Sequence, residues 1–210
     1  MRAIVLHATL ATAPAWGWKS ALLQALPYAK RLQLEAQDEQ VREPSLAGIA
    51  LALLGARRLG DTLPRAGEMS FPLDGKPAFA QPPHFSISHT GARACCASSL
   101  DTPVGIDLEC HVGSRDEETL QKLRRWTALE ATLKAAGEGL RKSGGLALAD
   151  DCLTAQLHGV HYHLQSLALD PGCVCHLAST QPVQVEIASI DLAAASVSAL
   201  LQHDFSFDAQ

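Results

Sequence analysis

Val104-Gly105-Ile106-Asp107-Leu108-Glu109 alternates apolar and polar residues and reads as a half-buried β-strand. Residues two apart on a strand share a face. Asp107 and Glu109 therefore stand together, while Val104, Ile106 and Leu108 face a core on the other side. Adjacent carboxylates repel one another unless something neutralises them. A hard divalent cation does so, because carboxylate oxygens suit Mg²⁺. Two harmless acids on a solvated strand face are the ordinary alternative, and the pair alone favours that alternative.

Working upstream, Phe85-Ser86-Ile87-Ser88 alternates in the same way, His89-Thr90-Gly91 turns, and Arg93 to Ser98 returns as a hairpin strand. Ser88 and His89 look like a nucleophile beside its base. Neighbours on a strand point to opposite faces, so a direct dyad is geometrically poor, and there is no Gly-x-Ser-x-Gly elbow. A hydroxyl and an imidazole at a chain turn can each bond a phosphate oxygen instead, with Lys76 of the Gly75-Lys76-Pro77 turn adding a cation. Downstream, residues 115–136 form the best helix of the chain, with Gly137 as its C-cap. Trp126, Glu130 and Lys134 share one stripe of it. As a Glu–Lys surface pair this stripe is worth only about 0.2–0.5 kcal/mol. As chemistry, Glu130 is a third metal carboxylate or a base, and Lys134 grips a phosphate.

The remaining pattern is a strand over 3–10, two short helices over 18–36 broken at Pro27, and a helix from Ser45, as its cap, to Leu59, ended by Gly60-Asp61. A proline-rich loop follows over 64–84. Strands close the chain at 152–158, 160–169, 173–179 and 183–190, with Asp170-Pro171-Gly172 as a hairpin turn. Helix-rich then strand-rich, twice over, gives an α+β fold class with two halves meeting near residue 101.

The chain has 210 residues, 47% apolar and 19% charged, which is globular composition. Its net charge of −5 argues against a nucleic-acid partner. Leu46 to Ala56, the longest apolar stretch, is too short to span a bilayer, and residues 1–10 lack a signal-peptide layout. A cytoplasmic protein with no membrane partner is expected. The six cysteines show no paired CxxC spacing, so six reduced, mostly buried thiols are expected. His158, His161, His163, Cys173, Cys175 and His176 also fit no standard zinc spacing.

Taken together, three ordered signatures resemble the 4′-phosphopantetheinyl transferases of the Sfp type. They are Gly75-Lys76-Pro77 with Phe85-Ser86-Ile87-Ser88-His89-Thr90-Gly91, then Val104 to Glu109, then Trp126-Thr127-Ala128-Leu129-Glu130-Ala131-Thr132-Leu133-Lys134-Ala135-Ala136-Gly137-Glu138-Gly139-Leu140. The resemblance runs from residue 75 to 140, with the strand-rich tail similar in outline. It implies two similar α/β lobes related by a pseudo-twofold axis, with antiparallel sheets packed against helices. Residues 1–101 form the coenzyme A side, and 102–210 carry the metal and catalytic carboxylates. It implies transfer of phosphopantetheine from coenzyme A to a serine of an acyl, peptidyl or aryl carrier protein by a monomer, with release of 3′,5′-ADP.

By the same resemblance, Asp107, Glu109 and Glu130 hold Mg²⁺, with Mn²⁺ acceptable on ligand chemistry. Glu130 takes the serine proton, while Lys134, His89, Ser88, Lys76 and Lys30 contact the coenzyme. Asp107, Glu130 and Lys134 form the catalytic set. Three features depart from the family pattern. Leu129 stands where lysine is usual. Pro44 stands where an arginine precedes the helix glycine, with Arg42 nearby. The stretch from Cys110 to Arg125, which helps bind the carrier, is short. A relative that binds coenzyme A or a carrier without catalysis is the competing reading. The retained carboxylates and lysine weigh against it.

Overall fold

The computed structural model describes residues 1–10, 18–60, 64–73, 75–111, 116–139 and 143–194. Asp61, the 112–115 stretch and Leu140, named above, lie outside the described residues. The elements are β1 (Arg2–Thr9), α1 (Lys19–Ala25), α2 (Tyr28–Glu35), α3 (Glu39–Leu59), β2 (His84–Thr90), β3 (Arg93–Ser99), β4 (Val104–Cys110), α4 (Glu117–Ala136), β5 (Ala147–Leu148), β6 (Thr154–Leu157), β7 (Val160–Ser166), β8 (Cys173–Ser179) and β9 (Gln184–Ser189). The fold is mixed α+β, and no described helix is long and apolar enough to cross a membrane.

Two sheets carry these elements. One has the order β2-β3-β1-β9 and the other β4-β8-β7-β6-β5. All pairings are antiparallel except β1 with β9, which run parallel. Apart from that one pairing the sheets are antiparallel, as expected. After β8 the chain leaves the second sheet and adds β9 to the far edge of the first, returning across residue 101.

The alternation of each strand decides where its side chains go. Ile4 and Leu6 of β1 join Phe85, Leu51 and Trp18 under α1–α3. Ala3 and Val5, on the opposite face, meet Val104, Ile106, Leu108 and Leu177 of the second sheet. Ala128, Ala131 and Leu133 of α4 cover that sheet's outer face against Leu157, Leu164 and Ala178. The order of layers is thus helices, sheet, sheet, helix, with β9 and one face of the β5–β7 end left largely exposed. Glycine allows the closest approaches. A Cβ at Gly105 would lie inside van der Waals contact of the Ala131 carbonyl and the Ala135 amide. The second-sheet helix therefore rests directly on the β4 backbone.

α3 begins at Glu39, one and a half turns before the expected cap at Ser45, and passes through Pro44. The Ser45 hydroxyl donates to the Val41 carbonyl at 3.1 Å and is an interior residue. Pro44, the sixth residue of the helix, has no amide to donate to the carbonyl four residues back, and the buried run 46–56 anchors the element. α4 follows its sequence reading. Asp116 caps it by accepting from the Thr119 amide, and Gly137 ends it at φ 74° in the left-handed region.

The expectation of six free thiols is overturned at one pair. Cys110 and Cys173 form a disulfide. The β4–β8 register sets them opposite each other with Cα atoms 4.0 Å apart, a juxtaposition hidden by 63 residues of separation. Cys95, Cys96, Cys152 and Cys175 are free and buried as expected.

Candidate functional site

β2 and β4 are edge strands of different sheets, and they meet at a seam. The seam is closed by hydroxyls in place of a backbone ladder. Ser86, Ser88 and Thr90 alternate on β2 and so share one face. The Ile106 amide donates to Ser86 Oγ at 3.1 Å, and the Leu108 amide donates to Ser88 Oγ at 3.2 Å. These bonds satisfy edge amides that would otherwise be buried without partners. The hydroxyls then turn their protons on the carboxylates. Ser88 Oγ donates to Asp107 Oδ1 at 2.9 Å, and Thr90 Oγ1 donates to Glu109 Oε2 at 3.1 Å.

α4 supplies the cation. Lys134 Nζ donates to the same Asp107 Oδ1 at 2.6 Å. The Asp107 side chain is only 6% exposed, so this is a charge-assisted contact away from bulk water. Gly105, two residues earlier on the same face, lets the helix come close enough to make it. Glu130 lies one helical turn before Lys134. Burial, foremost, lifts its carboxyl above the ordinary range; Lys134 opposes the rise, and Asp107 and Glu109 add to it.

A cavity of about 300 Å³ opens at this seam. It brings together Lys30, Ser88, His89, Asp107, Glu109 and Lys134, with Ile49, Phe71, Pro77 and Ile87 as apolar wall. Lys30 Nζ donates to Gln33 Oε1 at 3.1 Å and lies 5.2 Å from the centre of the Phe71 ring, within cation–π reach. Burial lowers its ammonium pKa. His89 is exposed at the mouth. Desolvation, then Lys134, then Lys30 hold its imidazole below the usual histidine range, against an opposing backbone hydrogen bond.

Lys76 stands apart from the cavity lining. Its Nζ donates to the Val104 carbonyl at 2.7 Å, and burial brings its pKa down to about 8. Arg42 is not a lining residue and lies beside Lys19. Leu129 packs into the core between α4 and the second sheet, so that position faces away from the seam.

Two carboxylate oxygens at the site, Asp107 Oδ2 and Glu130 Oε1, are shielded from solvent and have no hydrogen-bond donor. Anionic oxygens buried in this way call for a cation. Among the described residues no group of three or more His, Cys, Asp or Glu side chains is placed to hold a metal ion. Mg²⁺ commonly takes one or two carboxylates and completes its shell with water and substrate phosphate. The donor set therefore fits an open Mg²⁺ site. His158 pairs with Glu138 at 3.4 Å and His176 with Thr127 at 2.7 Å, while Cys173 is disulfide-bonded.

The sequence reading missed Ser86, Thr90 and Gly105. The signal for the first two was present, because Ser86, Ser88 and Thr90 alternate in step with 105, 107 and 109. Nothing in the sequence says that the two strands lie side by side.

No protein-family model matches the chain. A Synechocystis sp. (strain ATCC 27184 / PCC 6803 / Kazusa) protein named "Putative 4'-phosphopantetheinyl transferase slr0495" is 30% identical over 125 aligned residues, which cover 47% of this chain and 50% of that protein. The chain thus spans about half the length of the curated relative it matches.

Proposed function

We propose that the chain is a 4′-phosphopantetheinyl transferase of the Sfp type, moving phosphopantetheine from coenzyme A to a serine of an acyl, peptidyl or aryl carrier protein. The observation that carries this reading is the seam itself. Two carboxylates, Asp107 and Glu109, face two lysines and a histidine around one cavity. Glu130 stands behind the lining within electrostatic reach of Lys134 and both acids, and Asp107 and Glu130 each keep an orphaned buried oxygen. Phosphoryl transfer depends mainly on positioning and charge neutralisation, and this arrangement supplies both. The similarity to the Synechocystis protein supports the same reading.

The cavity of about 300 Å³ is at the small end for a ligand site. It suits the diphosphate rather than the whole coenzyme. Lys134 and His89 bind phosphate oxygens. Lys30 takes the ribose phosphate at the far wall. Lys76 reaches the coenzyme by exchanging the Val104 carbonyl for it. Asp107, Glu109 and Glu130 would be the carboxylates offered to Mg²⁺, one or two of them binding it directly, and the ion would neutralise the diphosphate and its developing charge.

Ser88 and Thr90 fix the two β4 carboxylates. Glu130, whose carboxyl burial lifts above the ordinary range, accepts the proton of the incoming serine as its oxygen bonds to the pantetheine-side phosphorus. The phosphoanhydride bond breaks and 3′,5′-ADP leaves. The two halves, 1–101 and 102–210, form pseudo-twofold lobes flanking this site, with β9 crossing between them.

Mass spectrometry of an apo carrier protein incubated with coenzyme A, Mg²⁺ and this chain tests the proposal. The expected result is a serine-linked phosphopantetheine, absent with Asp107→Ala. An unmodified carrier across fatty-acid, polyketide and nonribosomal-peptide types, together with no calorimetric binding of coenzyme A, contradicts it.

A further inference from the structure

We infer that Cys110 and Cys173 form a thiol–disulfide exchange site for low-molecular-weight disulfides, and that its state decides how firmly the Glu109 end of β4 is held. These two cysteines differ from the other four. Both are only partly buried, whereas Cys95, Cys96, Cys152 and Cys175 lie in the core. Exchange proceeds by thiolate attack in line on a sulfur, so access selects the pair that reacts.

The bond closes one corner of the molecule. Cys110 follows Glu109 directly and is the last residue of β4. Cys173 opens β8 after the Asp170-Pro171-Gly172 turn. That turn is itself fixed to the first sheet. Asp170 forms an ion pair with Arg93 at 2.7 Å and accepts from Thr9 Oγ1 at 3.5 Å. Beyond the disulfide, the His111 amide donates to the Gly172 carbonyl at 3.2 Å. The disulfide thus ties the end of β4 to a turn that is anchored across the sheet boundary. On the cavity side, among the described residues, Glu109 accepts its side-chain hydrogen bond from the Thr90 hydroxyl. Without the sulfur link, β4 keeps its ladder to β8 but frays from residue 110 inward, and Glu109 is the first cavity residue reached.

The step balances with a glutathione-type disulfide as oxidant. One cysteine thiolate attacks a glutathione sulfur, forms a mixed disulfide and expels one glutathione thiolate. The second cysteine thiolate attacks the protein-side sulfur, which forms the Cys110–Cys173 bond and expels the second. The two protein thiol protons end on the two glutathione thiols, and an excess of reduced glutathione reverses the sequence. The inference does not rest on the transferase reading, since thiols and backbone amides report it directly.

The full chain is equilibrated in glutathione buffers from strongly oxidising to strongly reducing, trapped with N-ethylmaleimide and mapped by peptide mass. Cys110 and Cys173 should pass from joined to doubly labelled across the series, with the other four cysteines unlabelled until the protein is denatured. Amide hydrogen exchange over residues 104–111 should be at least about threefold faster in the reduced protein, with β1 and α3 unchanged. The Cys110→Ser, Cys173→Ser double variant should match the reduced protein in every buffer. A pair that never joins, one that never opens, or exchange rates equal in the two states overturns the inference.

Discussion

Asp107 makes the site possible because three demands converge on its carboxylate. Oδ1 accepts from both Ser88 and Lys134, while Oδ2 is buried without a donor. Asp107→Asn keeps the shape but removes the charge that Lys134 neutralises. It should lower the transfer rate by about two orders of magnitude, as loss of a preorganised electrostatic group does. A single-turnover assay on an apo carrier checks this. Ser88→Ala removes one donor to Asp107 and the acceptor of the Leu108 amide together. It should cost roughly 1–3 kcal/mol, because a buried amide is left unpaired. Urea denaturation reads that cost, and a midpoint unchanged from wild type would show that the seam hydroxyls are dispensable. At this scale the carboxylates were legible in the sequence. Asp107 and Glu109 share a face by strand alternation alone, and Glu130 and Lys134 share a stripe by helical spacing. The serine and threonine roles were not legible, since their partners, two backbone amides and two carboxylates, lie on a strand 19 or 20 residues away.

At the scale of elements, the contact of α4 with β4 sets the distance between Lys134 and Asp107. Gly105 is its pivot, because any side chain there meets the Ala131 carbonyl and the Ala135 amide of the helix. These are backbone atoms and cannot rotate aside. Gly105→Ala should therefore push α4 outward and destabilise the protein by about 1–3 kcal/mol, the usual cost of overpacking. It should impair transfer more than this stability loss explains. Chemical denaturation and the transfer assay, run on the same variant, separate the two effects. The strand alternation and the Gly137 stop made β4 and α4 readable in advance. The start of α3 was misread, because Ser45 looks like a cap and Pro44 like a barrier. The five residues Glu39 to Glu43 before them continue the helix as an early segment, and the buried run behind them holds it in place. Leu129, where lysine is usual in the family, is half-buried and packs against the core under α4.

For the whole molecule, four layers stack as helices, sheet, sheet and helix, and the least legible contacts are those that tie the layers together. β9 returning to β1 and Cys110 meeting Cys173 both join residues far apart in the chain, and alternation carries no information about such partners. Burial also gives stability a pH dependence. His176 on β8, bonded to Thr127 under α4, has its pKa brought down to about 4, first by desolvation and then by Arg124, against an opposing pull from Asp107. Its folded pKa lies below the unfolded value near 6.5. The neutral ring's contribution is therefore complete above about pH 6.5, falls as pH drops, and is lost below about pH 4. The shift corresponds to on the order of 3 kcal/mol. Urea midpoints measured at intervals from pH 7 to pH 4 should fall accordingly, and His176→Gln should flatten the curve over that window.

The seam cavity as the coenzyme site is the central claim, and titration calorimetry of coenzyme A in the presence of Mg²⁺ tests it most directly. Wild-type protein should bind one equivalent, Lys134→Met and Asp107→Ala should each weaken binding by at least about tenfold, and omission of Mg²⁺ should weaken wild-type binding. Equal affinity in wild type and both variants would place the coenzyme elsewhere on the molecule, and no binding by folded wild-type protein would contradict the account.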